Sequence, residues 1–290
     1  TLSSGMKKFP KIFSSVFVSM ILSGEESGGL PRVLSEIGVT LKKTYDLNKK
    51  IKSAMIYPSI IIGTIFIIGI LMMIYVVPTL ISTFEDLGSK LPFSTQIIIN
   101  FSNFLTHHFI RFILIILTII TGAILFSKLK TTRRYFDFII LRLPIIGDLS
   151  RETNSARTTR TLSSLLASGV DLPKALSITR DILQNVYYRE LIDDSIKVIE
   201  KGIPLSTLFK ENIKLYPVMV GEMIEVGEET GELSKMLLNI AVFYEDRVDD
   251  KTKNLSAIIE PVLMLIIGSA VGFFALSMIT PIYSVMNNIN

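Results

Sequence analysis

Three apolar stretches dictate most of what this chain can become. They run from Ala54 to Ile81, from Phe109 to Ser127 and from Leu255 to Tyr283. Each is long enough to cross about 30 Å of hydrocarbon, which takes about 20 helical residues. A mean hydropathy of +0.51 with only 19% charged residues also sets the chain apart from most soluble proteins. It has no cysteine, which removes disulfides, thiol nucleophiles and thiolate metal sites.

Basic residues set the direction of the spans. Nine Lys or Arg lie in residues 1–53, one (Lys90) in 82–108, nineteen in 128–254, and none after Tyr283. The rule that positive loops stay in the cytoplasm places 1–53 and 128–254 inside. The cluster Lys128, Lys130, Arg133, Arg134 and Arg142 gives the same answer alone. The amino terminus is then cytoplasmic and the carboxyl terminus extracytoplasmic.

The chain also repeats itself. "GEESGGLPRVL" from Gly24 and "GEETGELSKML" from Gly227 align without a gap at an offset of 203, and the register continues through Pro58 and Pro261 to Pro78 and Pro281. The repeated unit is thus a soluble bundle ending in a membrane helix. Two such units running in the same direction need a return between them, which the unduplicated second span supplies. The same offset places the start of the first unit about fifty residues before Thr1, so a truncated first bundle is expected.

Helical patterning predominates. "RTLSSLLASGV" sets Leu162, Leu165 and Leu166 on one face and stops at Gly169. "DLPKALSITRDIL" starts on Asp171 as cap with Pro173 in its first turn. Leu233, Met236, Leu237, Ile240 and Tyr244 recur at three- and four-residue spacing. The expected fold is an all-α polytopic membrane protein with three transmembrane helices and duplicated cytoplasmic antiparallel helical bundles. Its parts are 1–53 (end of the first bundle), 54–81 (span), 82–108 (short extracytoplasmic connector), 109–127 (span), 128–254 (second bundle, six helices), 255–283 (span) and 284–290 (extracytoplasmic tail).

"GEESGGL", "GEETGEL", "KSAMIYP", "SAIIEP", "RTLSSLLASGVDLPKAL" and "GFFALSMITPIYSVMNNI" resemble the GspF/PilC-type family, the inner-membrane platform proteins of type II secretion systems and type IV pilus machines. The resemblance covers nearly the whole chain. It implies cytoplasmic bundles that face a hexameric assembly ATPase, and membrane helices that meet pilin-like or pseudopilin subunits. Other inner-membrane assembly proteins, a homo-oligomer and a bilayer are implied as partners, with no nucleic acid bound directly and no cofactor. "KIFSSVFVSM" departs from the family pattern, which commonly has proline at the position of Ser14.

The glycines Gly24, Gly28, Gly227 and Gly231 are expected to form a tight corner between helices, with Ser27 or Thr230 bonding to free backbone amides. The functional alternative makes Glu25, Glu26, Glu228 and Glu229 an acidic partner surface. A divalent-ion site lacks a spaced set of oxygen ligands. Glu260 is the one ionisable residue in the third stretch, so it is either functional, facing a subunit or polar cleft, or interfacial. Pro58, Pro78, Pro261 and Pro281 are expected to kink or end their helices, and Gly268 with Gly272 matches a close-packing pattern.

Rival classes find less support. There is no GxxxxGK[ST], HExxH or GxSxG motif for an enzyme, and His107 and His108 sit at the edge of the second span. A membrane transporter or channel subunit is the alternative function, with three spans and one acid as its thin permeation path.

Overall fold

The computed structural model describes residues 1–86, 93–128 and 130–288. Its regular structure is helical throughout: α1 (Leu2–Lys7), α2 (Ser15–Ser27), α3 (Leu30–Leu71), a π-helical turn (Met72–Val76), α4 (Val77–Asp86), α5 (Phe93–His107), α6 (Phe109–Lys128), α7 (Lys130–Arg142), α8 (Ile146–Ala167), α9 (Leu172–Ile182), α10 (Val186–Ile199), α11 (Leu205–Glu211), α12 (Val218–Thr230) and α13 (Leu233–Asn288). Lys90 and the last two residues of the tail 284–290 lie outside the described residues. The chain is an all-α polytopic membrane protein. One compact unit comprises Thr1–Lys52 and Ser127–Lys253, and a second comprises Ser53–Phe126 and Asn254–Asn290.

The first unit is built around α8, which is buried along most of its length although its sequence is rich in hydroxyls. Some of its hydroxyls return their protons to their own helix, as Thr159 does to the Ser155 carbonyl at 2.8 Å, and others reach neighbouring elements, as Ser163 does to the Ser234 carbonyl at 2.8 Å and Thr158 to the Tyr216 hydroxyl at 2.7 Å. Leu162 and Leu165 are fully buried, and α8 gives way to Gly169 at φ +87°, as expected from the apolar spacing. Asp171 caps α9 by accepting from the Lys174 amide at 3.1 Å. Leu237, Ile240 and Tyr244 of α13 join the same core as Met20, Ile21, Val33 and Ile37 of α2 and α3. Residues 1–52 therefore do not stand apart as a partial bundle, because their apolar face is covered by the second copy's helices. The described residues of 128–254 contribute seven helices or parts of helices, one more than expected, since α7 adds a short helix ahead of α8.

Polar contacts tie both copies of the repeat to α8. From α3, the Thr40 and Ser164 hydroxyls meet at 2.7 Å and the Arg157 guanidinium donates to the Asn48 side-chain carbonyl at 2.5 Å. From α13, Glu245 takes two 2.7 Å bonds from Arg160, and Glu152 receives Lys251 at 3.0 Å and Arg247 at 3.4 Å. Lys50 of the first copy and Lys253 of the second, aligned by the repeat, both reach Asp249 at 2.8 Å. Their hydrogen bonds hold the Asp249 carboxyl below its ordinary range.

The turn into α8 is strained. Ile145 has φ 68° and ψ −55°, and the Ile146 amide donates to the Pro144 carbonyl at 2.7 Å, which makes a left-handed γ-turn around a β-branched residue. Gly147 follows because a Cβ there would lie 2.5 Å from the Leu141 carbonyl oxygen. Arg151 fastens the corner, bonding the Leu141 carbonyl at 3.0 Å and the Lys214 carbonyl at 2.9 Å.

In the second unit, apolar helices within Leu30–Ser82 and Leu233–Ser277 are each long enough to cross a membrane. A third candidate is a bent pair, Thr95–His107 with Phe109–Ile119, which meet at 97°. The expected connector 82–108 is thus not simply a link: its residues 93–107 form α5. Pro58 and Pro261 lie inside α3 and α13 without ending them, and α13 also continues past Pro281. Only Pro78 follows a break in the α pattern, one residue after the π turn and Val77.

The connector helix α5 compensates for two of these prolines. In the π turn the Val77 amide reaches back to the Met72 carbonyl, and Pro78 has no amide to offer Met73, so the Met73 carbonyl loses its helical donor. Ser102 supplies one, donating to that carbonyl at 2.5 Å. Pro281 likewise cannot donate to the Ser277 carbonyl four residues earlier, and Thr95 does so instead at 2.6 Å. Val77 and Ile98 pack beside these bonds.

Two outcomes follow from this packing. Arg160→Ala should destabilise the protein by about 1–3 kcal/mol by removing both short bonds from the half-buried Glu245 carboxylate, which keeps only Lys43 at 3.7 Å, whereas Arg160→Met with Glu245→Leu should cost less; denaturant unfolding of the solubilised protein measures both. Thr95→Val and Ser102→Ala should each cost about 1–3 kcal/mol by leaving a carbonyl unpaired, seen as faster amide exchange in α5.

Candidate functional site

The repeated phrase forms two corners of the same construction. Gly28 and Gly231 take left-handed conformations, φ 70° and 71°, and stop α2 and α12. The turn lies at these second glycines. Gly24, Gly227 and the acids between belong to the preceding helices. Gly24 and Gly227 sit where the next helix passes closest: a Cβ would lie 3.0 Å from Val33 Cγ2 in the first corner and 2.8 Å from Leu233 Cα in the second. Ser27 and Thr230 differ from expectation, donating to the carbonyls of Ser23 (2.8 Å) and Val226 (2.7 Å) instead of accepting from free amides.

The first acid of each phrase turns inward to a short helix. Glu25 accepts from the amides of Leu2 (2.5 Å) and Ser3 (3.3 Å) and from the Ser3 hydroxyl (2.5 Å). Glu228 accepts from the amides of Leu205 (2.6 Å) and Ser206 (3.1 Å). A carboxylate across two otherwise unpaired helix-start amides satisfies them and complements the positive end of the helix dipole. These partners are themselves aligned by the offset of 203, Leu2 with Leu205 and Ser3 with Ser206, so the repeat extends upstream of Gly24. The Ser3 hydroxyl, followed by the Leu2 amide, holds the Glu25 carboxyl below its ordinary 4.5.

The second acid of each phrase, Glu26 or Glu229, is exposed at the last turn of α2 or α12. Ser14 and Pro217, also aligned, start these helices with nearly the same backbone, φ −68° and ψ 161° against φ −56° and ψ 149°. Serine therefore adopts the proline geometry at the position where the pattern departs.

The remaining candidates are dispersed. Glu260 is exposed on α13 immediately before Pro261 and forms no ion pair among the described residues. His107 ends α5, and His108 stacks on Phe104 at the bend before α6. Among the described residues, no three His, Asp or Glu side chains gather as metal ligands. Beside α8, a cavity of about 260 Å³ is lined by Phe17, Ile37, Thr40, Asn48 and Arg157 among others.

The class is then a membrane protein whose two long helices each begin at one of two equivalent, internally capped corners. Its family is shown by comparison: residues 1–78 and 158–281 match the model of type II secretion system protein F, and the chain belongs to that family. It is 34% identical to a type IV pilus assembly protein PilC of Thermus thermophilus over 97% of this chain and 69% of the relative. It is 32% identical to the PilC of Pseudomonas aeruginosa over 99% and 77%, and 31% identical to type II secretion system protein F of Aeromonas hydrophila over 100% and 74%.

Glu228→Ala should cost about 1–3 kcal/mol and speed amide exchange at Leu205 and Ser206, while Glu229→Ala leaves both unchanged. At the first corner, the depressed Glu25 pKa means its contribution is complete above pH 4.5 and is lost as pH falls through the lower folded value. Glu25→Gln should abolish that acid step in exchange at Leu2 and Ser3.

Proposed function

We propose that this chain is an inner-membrane platform protein of a type II secretion or type IV pilus machine. Its cytoplasmic helices couple a hexameric assembly ATPase to the insertion of pilin-like subunits into a filament. The amino terminus is cytoplasmic and the carboxyl terminus extracytoplasmic, in keeping with the basic residues in 1–53 and 128–254. Family membership supports the setting, and the equivalence of the two corners is the observation that carries the coupling role. Each corner leads into a long helix with a membrane-length apolar stretch, and each leaves one acid in solvent.

The partner-facing residues are best sought among the four glutamates. Glu25 and Glu228 are engaged with their own short helices, so Glu26 and Glu229 carry the exposed acidic charge. Glu260 is the corresponding candidate beside the membrane, where an unpaired acid favours a polar contact from a pilin-like subunit or another copy.

The test uses the full chain in lipid nanodiscs with its assembly ATPase. Glu26→Lys with Glu229→Lys should weaken binding about tenfold or more, chiefly through slower and more salt-dependent association. Unchanged binding by a correctly folded variant removes these acids from the interface, and absence of ATPase binding by the wild type defeats the coupling function. Substrate-dependent flux in proteoliposomes would favour a transporter subunit instead.

A further inference from the structure

The short helix α7 has an outer surface that nothing in the first unit covers. Its inner side is fixed: Leu141 is buried, the Asp137 carboxylate accepts from the Val186 amide at 2.8 Å, and Arg133 donates to the Gln184 carbonyl. Arg134 pairs with Glu190 at 2.9 Å, and Phe138 meets the Tyr187 ring at 6.3 Å. These contacts settle which way the helix faces. The opposite side presents Tyr135, Phe136, Ile139 and Leu143, which are 69%, 45%, 53% and 45% exposed. They follow helical spacing, so they form one continuous apolar strip.

We infer that this strip of α7 is seated in the headgroup region of an anionic lipid leaflet. Two observations select a membrane over a protein partner. First, α7 begins two residues after α6 ends at Lys128, and even a fully extended chain from Lys128 to Tyr135 reaches only about 25 Å. The strip is therefore tethered close to the end of an apolar helix of 20 residues. Second, the strip is bordered by exposed Arg142, which lies 4.3 Å above the Phe138 ring. Aromatic and aliphatic residues edged by an arginine match the polarity of a lipid interface, where the rings lie at the acyl boundary and the guanidinium meets phosphates. The strained turn at Ile145 and Gly147 comes directly after Leu143, so the helix that lies on the surface is joined to α8 by a sharply defined corner.

This contact gives the first unit a fixed attachment to the bilayer besides its chain connections. It is independent of whether an ATPase or a pilin-like subunit is the partner.

The absence of tryptophan from the chain makes the test direct. Full-length Ile139→Trp is reconstituted in vesicles of phosphatidylethanolamine and phosphatidylglycerol, with the phosphatidylglycerol chains either plain or brominated. A second variant, Lys201→Trp, places the reporter at an exposed turn after α10. The expected result is a blue-shifted Ile139→Trp emission, quenched about twofold or more by brominated lipid, with stronger quenching than for Lys201→Trp. Solvent-like, unquenched emission from Ile139→Trp overturns the inference. So does blue-shifted emission that brominated lipid leaves unquenched, because protein would then be covering the strip.

Discussion

A helix surrounded on all sides has to meet the hydrogen-bonding demands of each neighbour at once, and α8 is that helix. Arg160 and most of its hydroxyls are placed within the core of the first unit, where an unpaired charge costs far more than a lost surface contact. Arg160 meets Glu245 from the second copy, and Ser164 meets Thr40 from the first. The two copies are consequently held to a common element by different chemistry, although they derive from one repeated pattern. The ion pair is the more demanding contact, since both partners are largely withdrawn from water.

The corners show how one phrase combines several physical requirements. A glycine removes the Cβ that would obstruct the crossing helix, a carboxylate satisfies the start of a third helix, and a second glycine reverses the chain at positive φ. Only the second acid is free of these duties. Substituting the two acids of either phrase is therefore an unequal experiment: one change disturbs an internal cap and the other alters surface charge.

Much of this was legible in the amino-acid order. The apolar runs marked the long helices, the offset of 203 related the two corners, and the spacing of Leu237, Ile240 and Tyr244 identified a buried face. The inward role of Glu25 and Glu228 was not legible from the phrase, because their partners are backbone amides 22 and 23 residues upstream and amides leave no side-chain signature. The helix α5 was hidden for a related reason. Its Thr95 and Ser102 look like ordinary connector residues until the proline-freed carbonyls they serve are seen. Nor did the sequence distinguish the hydroxyls of Ser27 and Thr230 as donors, since each group is equally able to accept.

The π turn before Pro78 has a consequence for symmetry. Widening one turn by a residue rotates everything beyond it by about 100° relative to an uninterrupted α-helix. The two copies align without a gap through this region, yet α13 is α-helical across the equivalent residues. Upstream of Met72 the two helices thus share one backbone phase, while beyond Val76 the backbone of α4 is turned by one residue's rotation relative to that of α13. The duplicated helices begin in step and end out of step, with no insertion or deletion in the sequence to mark where they part.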